Sequence, residues 1–201
     1  ICWTLNIRGN DIEFFPLVLS YAMVREDRMD LYADASKFSG ELRKELERDG
    51  VVFHPYNDIY EDVKALDEGA TVLIDPARLN YSLWKNIPEK TGKVEMRNPE
   101  ILFKAVKNPT EIANIRKAQL KDSVAHIRFM KWVKENYDKE VITELSASRK
   151  LDELRAQQGD FIRPSFEPIV SFGEHGAIVH YTSSPETSVR LDGGSFLLTD
   201  T

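Results

Sequence analysis

The sequence predicts an α/β protein: a mixed-sheet α/β domain, residues 1–105, followed by a second, α+β domain, residues 106–201. Two observations predict this class. Short apolar runs alternate with segments of helical spacing up to about residue 105, and one long amphipathic segment then precedes further strand-like runs. With 42% hydrophobic and 30% charged residues, the 201-residue chain has the composition of a globular protein with enough apolar surface for folded cores.

In the first domain, apolar and β-branched runs predict strands, and apolar residues three to four positions apart predict helices. The predicted strands are Trp3–Ile7, Phe15–Val24, Asp30–Asp34, Val51–Phe53, Thr71–Asp75 and Lys93–Met96. The predicted helices are Ser36–Arg48, Asp58–Leu66 and Asn80–Asn86. Gly50 is placed to end the first of these helices.

The second domain opens with a helix-start signal. Asn108 is a good N-cap, Pro109 suits the first helical position and Glu111 the third, which predicts a long helix from Pro109 to Tyr137. Its apolar stripe is predicted from Ile112, Ile115, Val124, Ile127, Met130 and Val133. A second helix is predicted from Thr143 to just before Gly159, with Leu151 and Leu154 inward. The predicted strands are Glu167–Phe172, Ala177–Tyr181 and Ser195–Asp200.

Composition excludes several classes of function. The formal net charge of −6 does not favour nucleic-acid binding. No apolar run approaches the roughly 20 residues that span a bilayer, so no membrane partner is expected. One cysteine, Cys2, leaves no internal disulfide and no multi-cysteine zinc site. Together with the lack of a targeting segment, this predicts a cytoplasmic protein.

The two ends suggest a longer polypeptide. The chain begins at Ile1 without an initiator Met, and it stops at Thr201 within an apolar, β-branched run that has no turn residue behind it. We therefore expect the 201 residues to be a fragment.

His180 and Asp200 are the candidate chemical residues. His180 lies in an apolar predicted strand, where a histidine is more often packed and hydrogen-bonded than reactive. Asp200 ends a predicted strand, as a turn or cap residue would, but a carboxylate there also suits a divalent cation. Residue chemistry leaves both alternatives open. The helix carboxylates with charged neighbours are interpreted as solvated surface: Asp122, Glu144, Asp152 and Glu153.

Four blocks of sequence carry a family resemblance. They are Trp3–Ile12 with Pro16 and Ser20–Ala22; Lys104–Glu111 with Arg116–Ala118 and Lys121–Asp122; Thr143–Ala147 with Phe161 and Ser165–Phe166; and Gly176–Tyr181 with Pro185–Thr187 and Phe196–Asp200. Over its whole length, the chain resembles the larger Xaa-Pro aminopeptidases (aminopeptidase P) of the creatinase and methionine aminopeptidase superfamily. One departure is His175 before Gly176, where that family commonly carries Asn.

The resemblance implies a creatinase-N-like domain up to residue 105 and the N-terminal half of a pita-bread metallopeptidase domain from residue 106. It implies hydrolysis of the bond between an N-terminal residue and a following proline, with two divalent cations, commonly Mn²⁺, as cofactors. Asp200 matches the first metal ligand. His180 matches a catalytic histidine outside the metal shell that contacts the substrate and the tetrahedral intermediate.

The resemblance also carries expectations for the whole protein. The other metal ligands would lie beyond Thr201, so the 201 residues are expected to be inactive alone. The expected partners are peptides with proline at the second position and a second copy of the full-length protein. The alternatives are a prolidase-type dipeptidase and a non-catalytic peptide- or protein-interaction module of the same fold. The residues Asn6–Gly9 resemble the aminopeptidase branch better.

Overall fold

The structure, a computed structural model, describes all residues from Ile1 to Thr201. It divides into two compact units, one of Ile1–Ile12 and Pro16–Lys107, the other of Glu13–Phe15 and Asn108–Thr201. Helices and strands are mixed in both units, so the predicted α/β class is confirmed. None of the helices combines the length and the hydropathy needed to cross a bilayer.

The first unit alternates strands and helices along the chain. Its elements are β1 (Ser20–Val24), β2 (Met29–Ala33), α1 (Gly40–Arg48), β3 (Val51–His54), α2 (Ile59–Lys64), β4 (Thr71–Ile74), α3 (Tyr81–Asn86), β5 (Gly92–Glu95) and α4 (Glu100–Ala105). β2 pairs antiparallel with β1 and parallel with β3, which gives a mixed three-stranded sheet, and β4 pairs parallel with β5.

β2 is buried on both faces, because successive side chains of a strand point in opposite directions. Leu31 and Ala33 pack into one apolar cluster with Val51. Tyr32, between them, packs into a second cluster with Ile59 and other apolar residues. One strand therefore supplies both cores of the first unit.

α1 ends where the sequence predicts, but it begins at Gly40, four residues after the predicted start at Ser36. The Ser39 hydroxyl accepts a hydrogen bond from the Leu42 amide at 3.2 Å. Gly50 follows the last turn with φ of +89°, a left-handed conformation that glycine adopts without steric cost. The predicted stop at Gly50 is confirmed.

Two strand predictions in the first unit need correction. The Trp3–Ile7 segment forms turns, because the Leu5 and Ile7 amides donate to the Ile1 and Cys2 carbonyls at 2.9 Å instead of to a neighbouring strand. The predicted strand Phe15–Val24 forms only from Ser20.

The second unit contains two helices and one antiparallel strand pair. Its elements are α5 (Pro109–Asn136), α6 (Glu144–Ala156), β6 (Ile169–Phe172) and β7 (Leu197–Asp200). As predicted, Asn108 caps α5 and exchanges hydrogen bonds of 2.9 Å with Glu111 in a capping box. The core of the second unit is built from Ala125, Phe129, Ile142, Ala147, Leu151, Leu154, Val170 and Leu191.

The predicted apolar stripe of α5 is wrong except at Val133, which packs partly buried against the core of the second unit. Ala125 and Phe129 are the buried residues of α5, whereas Ile115 and Ile127 are 52% and 61% exposed. The long helix carries apolar residues on more than one side, so the spacing alone did not identify the face that packs on α6.

The predicted strand Ala177–Tyr181 is also wrong. A short 3₁₀-helix spans Gly173–Ala177, and turns and irregular backbone continue through Tyr181. Gly173 has a φ of +61° and His180 a φ of +56°, neither of which fits an extended strand.

Candidate functional site

The N-terminus of α6 places a carboxylate in the interior of the second unit. Thr143 is the N-cap: its hydroxyl accepts from the Ser146 amide at 3.2 Å, and the Ser146 hydroxyl accepts from the Thr143 amide at 2.8 Å. This capping box fixes Glu144 as the first helical residue. Its side chain is fully buried, with 0% exposure, so its interpretation as solvated surface is wrong.

The Glu144 carboxylate accepts hydrogen bonds from residues 172–183, which run from the last residue of β6, and from Val189 in the segment before β7. Its donors are the Phe172 amide at 2.6 Å, the Tyr181 hydroxyl at 2.9 Å, the His175 Nδ1 at 3.0 Å, the Val189 amide at 3.2 Å and the Ser183 hydroxyl at 3.3 Å. Burial alone would raise the pKa of Glu144, but these hydrogen bonds outweigh it and hold the pKa below its ordinary value.

His175 and Tyr181 also contact each other. Their ring centroids lie 4.5 Å apart with planes inclined by 30°. Because an ionised carboxylate only accepts, the His175 Nδ1 donates to Glu144. His175, which stands where the family commonly carries Asn, is therefore hydrogen-bonded to Glu144. The left-handed backbone of this region lies at Gly173 and His180 and not at His175.

His180 lies at the exposed end of this network. Its side chain is exposed, whereas the next residue, Tyr181, is only 7% exposed and is hydrogen-bonded to Glu144. A left-handed φ costs a residue with a Cβ roughly 1–2 kcal/mol, although His occurs there more often than most residues. Such strain persists only where neighbouring contacts fix the backbone, and it is most frequent at functional sites.

Asp200 is the last residue of β7, opposite Ile169 of β6. Its side chain is exposed. The following residue, Thr201, is held by Arg155, which donates to the Thr201 hydroxyl at 2.8 Å and to Asp122 at 2.7 Å. The Arg155 side chain is only 8% exposed, so the end of β7 is tied to α6 by a buried guanidinium.

A cleft of about 400 Å³ lies beside Thr201 and contains neither His180 nor Asp200. Two of its positive side chains form ion pairs: Arg155 pairs with Asp122, and the Lys121 ammonium lies 2.6 Å from an Asp160 oxygen. Lys117 and Arg163 also line the cleft, so it carries more positive than negative side chains.

The side chains of these 201 residues do not form a metal centre by themselves. No three or more His, Cys, Asp or Glu side chains are grouped so that they could hold a metal ion. Asp200 supplies one exposed carboxylate, and a single carboxylate does not hold two cations. The residues present therefore do not fit a complete dinuclear site.

The sequence patterns missed Glu144 because its donors lie 28 to 45 positions further along the chain. Helical periodicity reports only neighbours on the same helix. The available signals were the Thr143–Ala147 and Gly176–Tyr181 blocks, which the structure brings together through the Glu144–Tyr181 hydrogen bond.

Two family models together match almost every residue. The model described as the creatinase/prolidase N-terminal domain matches residues 1–111, and that of metallopeptidase family M24 matches residues 113–201.

Among curated relatives, the chain is 36% identical to Xaa-Pro aminopeptidase 1 of Dictyostelium discoideum, over 98% of this chain and 32% of that protein. It is 29% identical to aminopeptidase P2 of Arabidopsis thaliana, over 100% of this chain and 32% of that protein. The chain thus spans about a third of the length of these relatives.

Solved structures agree with these matches. An X-prolyl aminopeptidase from Caenorhabditis elegans, described as a cytosolic enzyme with a di-nuclear active site, matches with a TM-score of 0.91 and 27% identity, over 99% of this chain and 34% of that chain. The prolidase from Pyrococcus furiosus matches with a TM-score of 0.56 and 23% identity, over 92% of this chain and 55% of that chain, and shares the fold.

Proposed function

Because the chain belongs to the creatinase/prolidase N-terminal domain family and continues into a metallopeptidase M24 segment, we propose that it is part of an Xaa-Pro aminopeptidase. The substrates are peptides with proline at the second position, and the product is the released N-terminal residue. The observation that carries this proposal is the similarity to Xaa-Pro aminopeptidases across both segments, over nearly the whole chain.

Residue roles follow from the family resemblance. Asp200 is proposed as one ligand of a dinuclear site whose other ligands come from polypeptide outside these 201 residues. In the complete polypeptide this site would hold two divalent cations, here proposed to be Mn²⁺, which would supply Lewis acidity and a water of lowered pKa. His180 is the proposed catalytic residue, an exposed hydrogen-bond donor to the substrate and the tetrahedral intermediate.

Further parts of the proposal concern the whole protein. The domain boundary is placed near residue 105, the complete protein is a homodimer, and it works in the cytoplasm. The cytosolic description of the C. elegans enzyme supports this location. The 201 residues alone are inactive, since they provide no group of side chains that could hold a metal ion.

The test compares the complete polypeptide with the 201-residue chain, each with Mn²⁺ and an Xaa-Pro-containing tripeptide. We expect turnover by the complete polypeptide only. Turnover by the short chain would refute its proposed inactivity. Hydrolysis of Xaa-Pro dipeptides but not of longer peptides would replace the proposal with a prolidase-type activity. Peptide binding without turnover would replace it with an interaction module.

A further inference from the structure

Four residues around His180 converge on one carboxylate. Phe172, His175, Tyr181 and Ser183 all donate hydrogen bonds to Glu144. Two of these donors precede His180 in the chain and two follow it. Because Glu144 begins a helix that is capped and packed on the core of the second unit, the 172–183 segment is fixed to a rigid element.

From this geometry we propose that Glu144 is a positioning residue for His180, acting through Tyr181 and His175. This inference rests on the proposed function, because it assigns to Glu144 an effect on the same active site. Glu144 is fully buried and therefore does not touch the substrate itself.

The conformation of His180 supports a positioning role over a purely structural one. His180 is exposed and so adds little to packing, yet it holds a left-handed backbone that glycine would adopt more easily. Tyr181, the next residue, is buried and bonded to Glu144 at 2.9 Å. The contacts thus hold the backbone that carries an exposed imidazole in one strained conformation, as preorganised sites require.

The test is a double-mutant cycle in the complete, Mn²⁺-loaded polypeptide, with an Xaa-Pro tripeptide as substrate. We expect Glu144→Gln to lower kcat by roughly ten- to a hundredfold with little change in KM, since a small misplacement of a catalytic group has effects of this size. In a His180→Ala background, the same change should lower kcat less than about threefold, because its effect passes through His180.

Tyr181→Phe is the second variant, since it keeps the ring and removes only the hydroxyl that bonds Glu144. It should show a smaller loss of kcat with the same dependence on His180. The matched control is Glu153→Gln on the same helix, the same substitution at an exposed carboxylate that pairs with Lys150 at 3.2 Å. We expect wild-type kcat for this variant.

Amide hydrogen exchange separates this inference from the proposed function. Exchange in the 172–183 segment should accelerate in the Glu144→Gln and Tyr181→Phe variants and stay unchanged in Glu153→Gln. Unchanged exchange in both of the first two variants would overturn the inference, as would equal losses of kcat with and without His180. A wild-type polypeptide that turns over no Xaa-Pro peptide would instead refute the proposed function.

Discussion

Glu144 is a buried carboxylate, and the free energy of burying its charge depends on the groups that donate hydrogen bonds to it. Removing one hydrogen bond to a charged group costs about 1.5–3 kcal/mol, and here the donors include two backbone amides, those of Phe172 and Val189. Glutamine has a similar size, but its side-chain NH₂ group donates and cannot accept the hydrogen bonds that one of the Glu144 oxygens accepts. The residue therefore links side-chain ionisation to the stability of the surrounding turns.

The first prediction concerns pH. The pKa of Glu144 is lowered by folding, so its contribution to stability is present above the unfolded pKa, near 4.5, and is lost as the pH falls through the folded value. Protection of the Phe172 and Val189 amides, corrected for intrinsic exchange, should therefore decrease below about pH 4.5. In the Glu144→Gln variant this pH dependence should be absent. An identical acid response in both proteins would contradict the prediction.

The second prediction concerns the strained backbone of His180. Glycine adopts a φ near +56° freely, whereas alanine keeps the steric conflict of a Cβ. His180→Gly should therefore be about 1 kcal/mol more stable than His180→Ala, measured as the free energy of unfolding in urea. Both variants should turn over Xaa-Pro peptides more slowly than the wild type in the complete polypeptide, with a residual rate that is still measurable. If the alanine variant is as stable as the glycine variant, the strain argument fails.

At the scale of elements, the start of α5 was predictable because its signal is local. The Asn108 side chain accepts a hydrogen bond from the Glu111 amide, and the Glu111 side chain accepts one from the Asn108 amide, so both lie within one turn.

The third prediction is that Asn108→Ala destabilises the first turn of α5 by about 1 kcal/mol. The exchange of the Glu111 amide should then be roughly fivefold faster.

The control for this cap is Asn114→Ala, the same substitution at an exposed position inside α5. Alanine is the better helix former there, so exchange in the first turn should not accelerate. Equal acceleration in both variants would show that the Asn108 side chain has no capping role.

Elements that depend on distant partners were less predictable. The apolar sequence of Ala177–Tyr181 is typical of a strand, but the buried bond between Tyr181 and Glu144 joins residues 37 positions apart and holds a turn instead. The Trp3–Ile7 segment fails as a strand for the opposite reason, because its own nearby carbonyls accept its amide hydrogens. In both segments hydrogen bonding outweighed side-chain propensity.

At the scale of the molecule, each unit has its own core, and the alternation of strands and helices was enough to predict the fold class. The candidate site was less predictable. His180 and Asp200 were identified through the family resemblance, since a histidine in an apolar run and an aspartate at a strand end each have ordinary structural roles. Glu144 became visible only when its donors were brought together in three dimensions.

The last prediction tests the proposed metal ligand in the complete polypeptide. Asparagine keeps the shape of Asp200 but loses its charge, and a neutral amide oxygen is the weaker ligand for a hard divalent cation. Asp200→Asn should therefore bind fewer divalent cations per chain than wild type, as measured by elemental analysis after equilibration with Mn²⁺. Asp192→Asn is the matched control, since Asp192 is an exposed loop residue whose side chain accepts from the Gly194 amide at 2.9 Å, a bond that asparagine retains. This control should keep the wild-type metal content, and an Asp200→Asn protein with the same content would remove Asp200 from the metal site.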